Sequence, residues 1–205
     1  MREDTPQTKG QRTAQRILDA AEQQFASRGY DGCTLREIAR QAGLQEPGLY
    51  NHFRGKLKLY EAVLERALAP MSEVLQRHLQ GDEASAALSD LPAQMTDLLL
   101  EHPQMAALFQ QALHGDPASP GNQLMSRWLG RLLEQGARSM RKAGNHDDDA
   151  AETAVRVIAM FNVTTGYFLS QRAFDSMAEG DITSPDNIMR QKQLLRRLSQ
   201  AMFDV

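Results

Sequence analysis

The sequence contains few of the features that stabilise secreted or membrane proteins. Cys33 is the single cysteine among 205 residues, which excludes an intramolecular disulfide and a zinc site built from several cysteines. The most apolar stretch, residues 155–169, includes Arg156 and Asn162 and is shorter than the ~20 apolar residues that cross a bilayer. The first ten residues are polar and lack the apolar core of a signal peptide. We therefore expect a cytoplasmic protein with no membrane partner.

The sequence is also poor in the motifs of catalysis and metal binding. Its five histidines are scattered without the spacing of metal ligands, and neither a glycine-rich phosphate loop nor a nucleophile elbow occurs. We accordingly expect no metal, no cofactor and no enzymatic activity. Aromatic residues make up only 6% of the chain, whereas there are 10 methionines, so the core should be aliphatic and adaptable.

Charge is distributed unevenly along the chain. The net charge of −3 argues against a nucleic-acid partner. Residues 1–60, however, carry ten Lys and Arg against seven Asp and Glu, whereas the remainder carries thirteen against nineteen. This asymmetry suits a basic N-terminal part that contacts phosphates and an acidic body that does not.

Apolar residues recur at helical spacing from Gln11 to the C-terminus, and no alternating strand pattern occurs. The sequence therefore predicts an all-α fold in three parts: a disordered tail over 1–10, a small three-helix head over 11–56, and a larger helical domain over 57–205. Glycine and proline positions divide the chain into helices that begin near Gln11, at Thr34, at Glu46 (ending near Phe53) and at Lys56, followed by helices over 84–101, 103–114, 120–143, 147–178 and 185–203.

Residues 34–56 have the pattern of a helix-turn-helix unit. Thr34 and Glu37 form a capping-box sequence at a helix start. Gly43 permits the positive φ angle of a tight turn, and Pro47 fits the first turn of the next helix. Leu44 and Leu49 are suited to fill the space between the two helices, which predicts a short exposed second helix of the kind that enters the major groove.

The predicted outer surface of this unit carries side chains that suit DNA. Gln and Asn can read adenine, and Tyr can contact a phosphate or a thymine methyl group. Thr34 at a helix start can meet a phosphate, and Lys56 can hold the backbone on the other side. The predicted DNA-binding set is Thr34, Arg36, Gln45, Glu46, Pro47, Gly48, Tyr50, Asn51, His52 and Lys56. The alternative is an ordinary helical hairpin with a solvated polar face.

The run ILDAAEQQFASRGYDGCTLREIARQAGLQEPGLYNHFRGKLKLYEAVL resembles the DNA-binding end of the tetracycline-repressor (TetR) family. The resemblance implies phosphate contacts by Thr34, Tyr50, His52 and Lys56. It implies that Gln45, Glu46, Gly48 and Asn51 lie towards the bases. Gln45 stands where the family usually has Ser or Thr, Glu46 where a basic residue is common, and Gly48 where a hydroxyl residue is common, so the operator sequence cannot be taken from that of any relative.

The resemblance further implies that two C-terminal helices pair with their copies in a homodimer. The predicted interface consists of Val155, Ile158, Gly166, Leu194, Leu195, Leu198 and Met202. The alternative is that both helices fill an intramolecular core. The resemblance also implies a ligand cavity, for which the expected lining is Met95, Leu98, Met105, Phe109, Trp128, Phe161, Asn162, Thr165 and Phe168, although a stripe of Met and aromatic residues also suits a plain core.

These features together predict a homodimeric, ligand-responsive transcriptional regulator. We expect a repressor that leaves a palindromic double-stranded DNA operator when an apolar or amphipathic small-molecule effector binds the C-terminal domain. An activator is one alternative. A second is a cytosolic helical ligand carrier or enzyme that retains the helix-turn-helix head as a structural relic.

Overall fold

The computed structural model of the protein describes residues 8–80, 84–142 and 149–203. All regular structure in these ranges is helical and no strand occurs in them, which confirms the predicted all-α class. The helices are α1 (Lys9–Arg28), α2 (Leu35–Gln41), α3 (Glu46–Tyr50), α4 (Lys56–Gln80), α5 (Ala84–Glu101), α6 (Met105–His114), α7 (Pro120–Lys142), α8 (Ala150–Tyr167), α9 (Gln171–Asp175) and α10 (Pro185–Phe203).

Helix α1 begins earlier than its predicted start at Gln11. The hydroxyl of Thr8 accepts a hydrogen bond from the backbone N–H of Gln11 at 3.2 Å, and the Gln11 side chain accepts one from the Thr8 N–H at 2.8 Å. This reciprocal pair satisfies two N–H groups at the start of α1, so helix formation begins at Lys9. Residues 1–7 of the predicted tail lie outside the described residues.

The predicted helix over 147–178 is wrong as a single element. The Asp149 carboxylate accepts from the Ala151 N–H at 2.6 Å and caps α8, which then ends at Tyr167. The Ser170 hydroxyl donates to the Gly166 carbonyl at 2.7 Å, and the Tyr167 hydroxyl donates to the Ile182 carbonyl at 2.7 Å. These bonds stabilise a break before the short α9. Residues 147 and 148 lie outside the described residues.

The described residues form two compact units. Unit 1 comprises the residues up to Arg66 together with Leu108–Ser126, and unit 2 comprises Ala67–Ala107 and the residues from Arg127 onward. This division differs from the predicted boundary after Lys56. Arg66 pairs with Asp19 at 2.7 Å and with Glu22. These ion pairs join the first part of α4 to α1 within unit 1.

Unit 1 is built around the N-terminal helices. Helix α2 packs against both α1 and α3. The fully buried side chains of the unit include those of Ile17, Phe25, Ile38, Leu49, Leu59, Tyr60, Leu64, Leu108 and Phe109. Residues 108–126 therefore add apolar surface to a head that is small on its own.

Unit 2 is built around α5, which packs against α8 and α10. Leu99 on α5 and Leu195 on α10 are 1% and 0% exposed. Arg196 pairs with Asp90 at 2.6 Å, and Lys192 pairs with Asp97. Exposed pairs of this kind contribute about 1 kcal/mol or less, so apolar burial is the main stabilising term between α5 and α10.

An aromatic cluster in unit 1 depends on one glycine. The Tyr60 ring lies 4.8 Å from that of Phe25 and 5.2 Å from that of Tyr30, between centroids. A Cβ atom added to Gly121, at the start of α7, would lie 2.1 Å from Cγ of Tyr30. Only a glycine therefore allows the α7 backbone to approach this ring so closely.

Gly121→Ala should destabilise the protein by about 1–3 kcal/mol, because the new methyl group overpacks the Tyr30 contact. Gly130→Ala is the matched control on α7, since nothing lies within 4 Å of a Cβ there, and it should gain up to ~1 kcal/mol of helix propensity. Thermal unfolding followed by circular dichroism measures both. A Gly121→Ala protein that melts at or above the wild-type temperature would contradict the contact.

Candidate functional site

The polar groups of Thr34 and Glu37 at the N-terminus of α2 are hydrogen-bonded to each other. The Thr34 hydroxyl accepts from the Glu37 N–H at 3.2 Å and donates to the Glu37 carboxylate at 2.7 Å. The same carboxylate accepts from the Thr34 N–H at 3.0 Å and pairs with Arg28 at 3.0 Å. These hydrogen bonds from Thr34, and then Arg28, lower the pKa of Glu37 below its ordinary value. A phosphate that approached Thr34 would thus meet a hydroxyl already bonded to a carboxylate.

The turn between α2 and α3 requires a glycine. Gly43 has φ +68°, and a Cβ atom there would lie 2.8 Å from Nη2 of Arg16. That guanidinium donates to the Ala42 carbonyl, while the Leu44 N–H donates to the Ala39 carbonyl at 2.8 Å. The turn is therefore held by α1 as well as by its own backbone, and it fixes the direction in which α3 leaves α2.

Helix α3 presents most of its predicted DNA-binding residues to solvent. Leu49 is fully buried and anchors the helix, which ends at Tyr50 and not at the predicted Phe53. Tyr50 is 50% exposed. We define the α3 face as the exposed side chains of α3 and of the residues that flank it: Gln45, Pro47, Tyr50, Asn51 and His52. Glu46 and Gly48 are half-buried, whereas Thr34 and Arg36 on the flanking turn and α2 are exposed.

Gln45 is the residue before α3, and its side chain makes no capping hydrogen bond. The side-chain amide of Gln45 is therefore not used to cap the start of the helix. Pro47 lies in the first turn, where its missing N–H is tolerated. Both features leave the start of the α3 face available to an external partner.

Lys56 at the start of α4 is held by an aromatic ring. Its Nζ lies 4.4 Å from the Tyr30 ring centroid and donates to the Asp31 carbonyl at 3.5 Å. Burial and then the charge of Asp31 raise the pKa of the Tyr30 phenol, so the ring is neutral at physiological pH and its face attracts the ammonium. The sequence reasoning missed Tyr30 as the support of Lys56, since spacing alone does not bring these residues together.

Cys33 is a buried thiol beside this site. Its Sγ lies 3.1 Å from the Gln24 carbonyl oxygen and 3.2 Å from that of Gly29, and its single S–H can donate to either. Burial raises the pKa of the thiol, although Lys56 and Arg28 oppose this shift. The thiol is therefore protonated at neutral pH and fills a structural position.

Unit 2 contains an apolar cavity of about 110 Å³. Of the predicted lining residues, Met95, Phe161 and Thr165 lie on its wall. The prediction missed several others, because helical periodicity identifies buried positions without showing which of them face a void. The residues that were missed are Met71, Leu75, Leu91, Pro92, Leu133, Gly136, Val157, Thr164 and Ser199, and Leu99, Leu132 and Met160 complete the wall.

The other predicted ligand contacts lie elsewhere. Met105 is fully buried outside the lining, and Phe109 belongs to the core of unit 1. The Trp128 ring carries the Arg131 guanidinium 4.3 Å from its centroid. Asn162 is exposed and donates to the Ile158 carbonyl at 2.9 Å. Periodicity did not separate these core and surface positions from the cavity.

Two further predicted contacts are also absent from the cavity wall. The Phe168 ring packs edge-on against Tyr167 at 5.6 Å between centroids. Leu98 is half-buried and does not contribute to the lining either.

Helices α8 and α10 expose several of the predicted interface residues. Val155 is 66% exposed and Ile158 48%, one turn apart on α8, while Leu194 on α10 is 49% exposed. Gly166, Leu198 and Met202 are half-buried. Leu195 is a correction, because it is fully buried within the chain and has no surface to offer a second copy.

In residues 8–80, 84–142 and 149–203, no three His, Cys, Asp or Glu side chains gather closely enough to hold a metal ion. None of the helices in those ranges has both the length and the hydropathy of a membrane span.

The sequence similarity to known proteins is strongest in the N-terminal part of the chain. Residues 17–63 match the model of the bacterial regulatory proteins of the tetR family. The HTH-type transcriptional regulator SrpR of Pseudomonas putida is 44% identical over 59 residues, which cover 29% of this chain and 28% of SrpR. The HTH-type transcriptional repressor BepR of Brucella suis biovar 1 is 41% identical over 63 residues, which cover 31% of this chain and 30% of BepR.

A solved structure extends the similarity of fold to nearly the whole chain. SmeT, described as the repressor of the Stenotrophomonas maltophilia multidrug efflux pump SmeDEF, aligns with a TM-score of 0.64 and 20% identity. The alignment covers 94% of this chain and 90% of SmeT. The matches to SrpR and BepR, by contrast, each span less than a third of those relatives.

Thr34→Ala should raise the pKa of Glu37, because the Thr34 hydrogen bonds are the first cause of its lowering. Since the folded pKa is lowered, Glu37 contributes stability above its unfolded pKa and loses it as pH falls through the folded value. The lost cap should also cost ~1 kcal/mol. Thr34→Ser keeps the hydroxyl and is the control. Carboxyl-carbon NMR titration measures the pKa, and an unchanged value in Thr34→Ala would refute the assignment.

Proposed function

Because the chain belongs to the TetR family of bacterial regulatory proteins, we propose that it is a DNA-binding transcriptional regulator that represses from a palindromic operator. The observation that carries this proposal is the α3 face, which leaves Tyr50, Asn51 and His52 exposed while Leu49 anchors the helix. The proposal that the partner is operator DNA includes a cytoplasmic location for the protein. Since the family and the relatives are transcriptional regulators, the carrier or enzyme alternative has no support.

The proposed DNA contacts divide into positioning and reading. Tyr50, His52 and Lys56 contact phosphates on either side of α3, while Gln45 and Asn51 reach base edges. Glu46 is half-buried at the start of the helix, and its carboxylate would accept from a cytosine amino group and repel a phosphate. Arg36 on α2 is exposed and supplies a further phosphate contact.

The proposed effector site is the apolar cavity of unit 2. Helix α4 carries residues of both proposed sites, since Lys56 begins it and Met71 and Leu75 line the cavity. A ligand changes operator occupancy only to the extent that it binds one conformation better than the other. An apolar or amphipathic ligand that prefers the conformation with lower DNA affinity would release the operator.

The proposed oligomer is a homodimer formed through α8 and α10. Val155 and Ile158 lie one turn apart on α8, and Leu194 is followed one turn later by Leu198 on α10. Solvated apolar residues on packed helices favour burial against a second copy. A two-fold dimer would place two copies of α3 on half-sites about one DNA turn, ~34 Å, apart.

Lys56→Ala and Tyr50→Ala should each weaken operator binding about 10-fold or more while the helical content is retained. The operator is first selected from fragments of the neighbouring genome by gel shift. Loss of one phosphate contact should also reduce the slope of log K against log salt by about 0.9. Arg172→Ala, an exposed change on α9, is the control. Absence of any sequence-selective, salt-sensitive complex with the wild-type protein would refute the proposal.

Tyr30→Leu should weaken operator binding about two- to fivefold, because Lys56 loses a contact of ~0.5–1 kcal/mol that orients it. Tyr30→Phe keeps the ring face and should bind like wild type. In a Lys56→Ala background, Tyr30→Leu should have no further effect on affinity. An equal additional loss in that background would show that Tyr30 acts through folding and not through Lys56.

Val155→Glu combined with Leu194→Glu should convert the dimer to a monomer, since two charges would be buried at the proposed interface. Met177→Glu is the matched control, because Met177 is 80% exposed and lies outside α8 and α10. Light scattering after size-exclusion chromatography measures the mass. A double variant that remains dimeric would place the interface elsewhere.

A further inference from the structure

The cavity in unit 2 has a wall of almost pure hydrocarbon and thioether. Its lining combines Met71, Met95 and Met160 with leucines, Val157 and Phe161. The flexible methionines allow the wall to adjust to the shape of an occupant. Residues with ionisable side chains do not occur among the lining positions that the structure describes.

The two threonine hydroxyls of the lining donate within their own helix. The Thr164 hydroxyl donates to the Met160 carbonyl at 2.8 Å, and the Thr165 hydroxyl donates to the Phe161 carbonyl at 2.7 Å. Both protons are thus used within α8. Ser199 is only 1% exposed. An anionic group in the cavity would therefore find neither a cation nor a threonine proton to stabilise it.

Three charged pairs involve residues of α5, α8 and α10, the helices that contribute to the cavity wall. Arg196 pairs with Asp90, Lys192 with Asp97, and Arg156 with Glu152 at 2.6 Å. A charged group buried against this wall would lose its hydration without gaining a partner, and such burial is strongly unfavourable. The described wall therefore offers no ionic partner to a carboxylate, a phosphate or an ammonium ion.

The volume of the cavity limits the size of its occupant. It measures about 110 Å³, which approaches the ~150 Å³ of an apolar protein cavity that remains dry and binds benzene. Water in an apolar void lacks hydrogen-bond partners, so an apolar ligand would not have to displace well-bonded solvent.

We propose that the cavity binds one small, uncharged, apolar molecule of about the size of a single substituted benzene ring and rejects organic ions of the same size. This inference deepens the proposed function, and its relevance to regulation rests on the cavity being the effector site. It narrows the effector class from apolar or amphipathic to uncharged and apolar.

Isothermal titration calorimetry of the full-length protein without DNA tests the charge selectivity. The probes are ethylbenzene, phenylacetate and 2-phenylethylammonium, which share a ring and its first methylene group but differ in charge. Ethylbenzene should bind with a negative heat-capacity change, and the two ions should bind at least ~100-fold more weakly. Absence of ethylbenzene binding, or equal or tighter binding of either ion, overturns the inference.

A cavity-filling variant locates the binding site. A Cβ atom on Gly136 would make only an ordinary 3.5 Å contact with Val157, so Gly136→Leu is tolerated at that atom and extends its isobutyl group into the cavity. Gly130→Leu, on the same helix and in open space, is the matched control. Gly136→Leu should abolish ethylbenzene binding while Gly130→Leu retains it. Equal binding by both variants places the site elsewhere and overturns the inference.

Operator affinity, measured separately by gel shift with and without ethylbenzene, distinguishes failure of the cavity inference from failure of the proposed function. Selective binding of ethylbenzene by a protein with no operator supports the cavity inference and refutes the proposed function. Operator binding by a protein that ignores ethylbenzene supports the proposed function and overturns the cavity inference.

Discussion

The burial of Leu49 is the interaction on which the candidate DNA-binding surface depends. Helix α3 has only five residues, and so short a helix does not form in water without tertiary support. With Leu49 fully buried and α2 packed on both α1 and α3, the core of unit 1 fixes the helix. Pro47 and Tyr50 of this helix are thereby exposed to solvent. The polar residues of the α3 face do not stabilise the helix, and they are available for recognition.

The polar and charged groups around this helix differ in whether they are already bonded to a carboxylate of the protein. The Glu37 carboxylate occupies the polar groups of Thr34 at the start of α2 and would compete there with a DNA phosphate. Lys56 meets no carboxylate within the described contacts; it rests on the Tyr30 ring and the Asp31 carbonyl. Its full positive charge therefore remains available to a phosphate. Between Thr34 and Lys56, two of the predicted phosphate contacts, the fold leaves only Lys56 without a carboxylate partner among the described contacts.

The same packing logic gives unit 2 a different chemistry. Helix α5 packs against α8 and α10, and Leu99 on α5 and Leu195 on α10 are buried. The packing nevertheless leaves a cavity walled mainly by methionine, leucine and phenylalanine. Because the threonine hydroxyls of α8 are bonded within their own helix, the void offers shape and dispersion and almost no polarity. Selectivity in such a site comes from volume and from the cost of desolvating a charge. Helix α4 contributes to this wall and also begins with Lys56.

The sequence by itself determined the all-α class and the capping box of α2, the glycine turn at Gly43 and the buried position of Leu49. These features rest on local periodicity and backbone conformation, which act over a few residues. Only the tertiary structure decided that Tyr30 supports Lys56, that Leu195 faces inward, that residues 108–126 join unit 1, and which methionines line the cavity. Periodicity states that a residue is buried, but its neighbours across the core depend on how helices distant in sequence pack together.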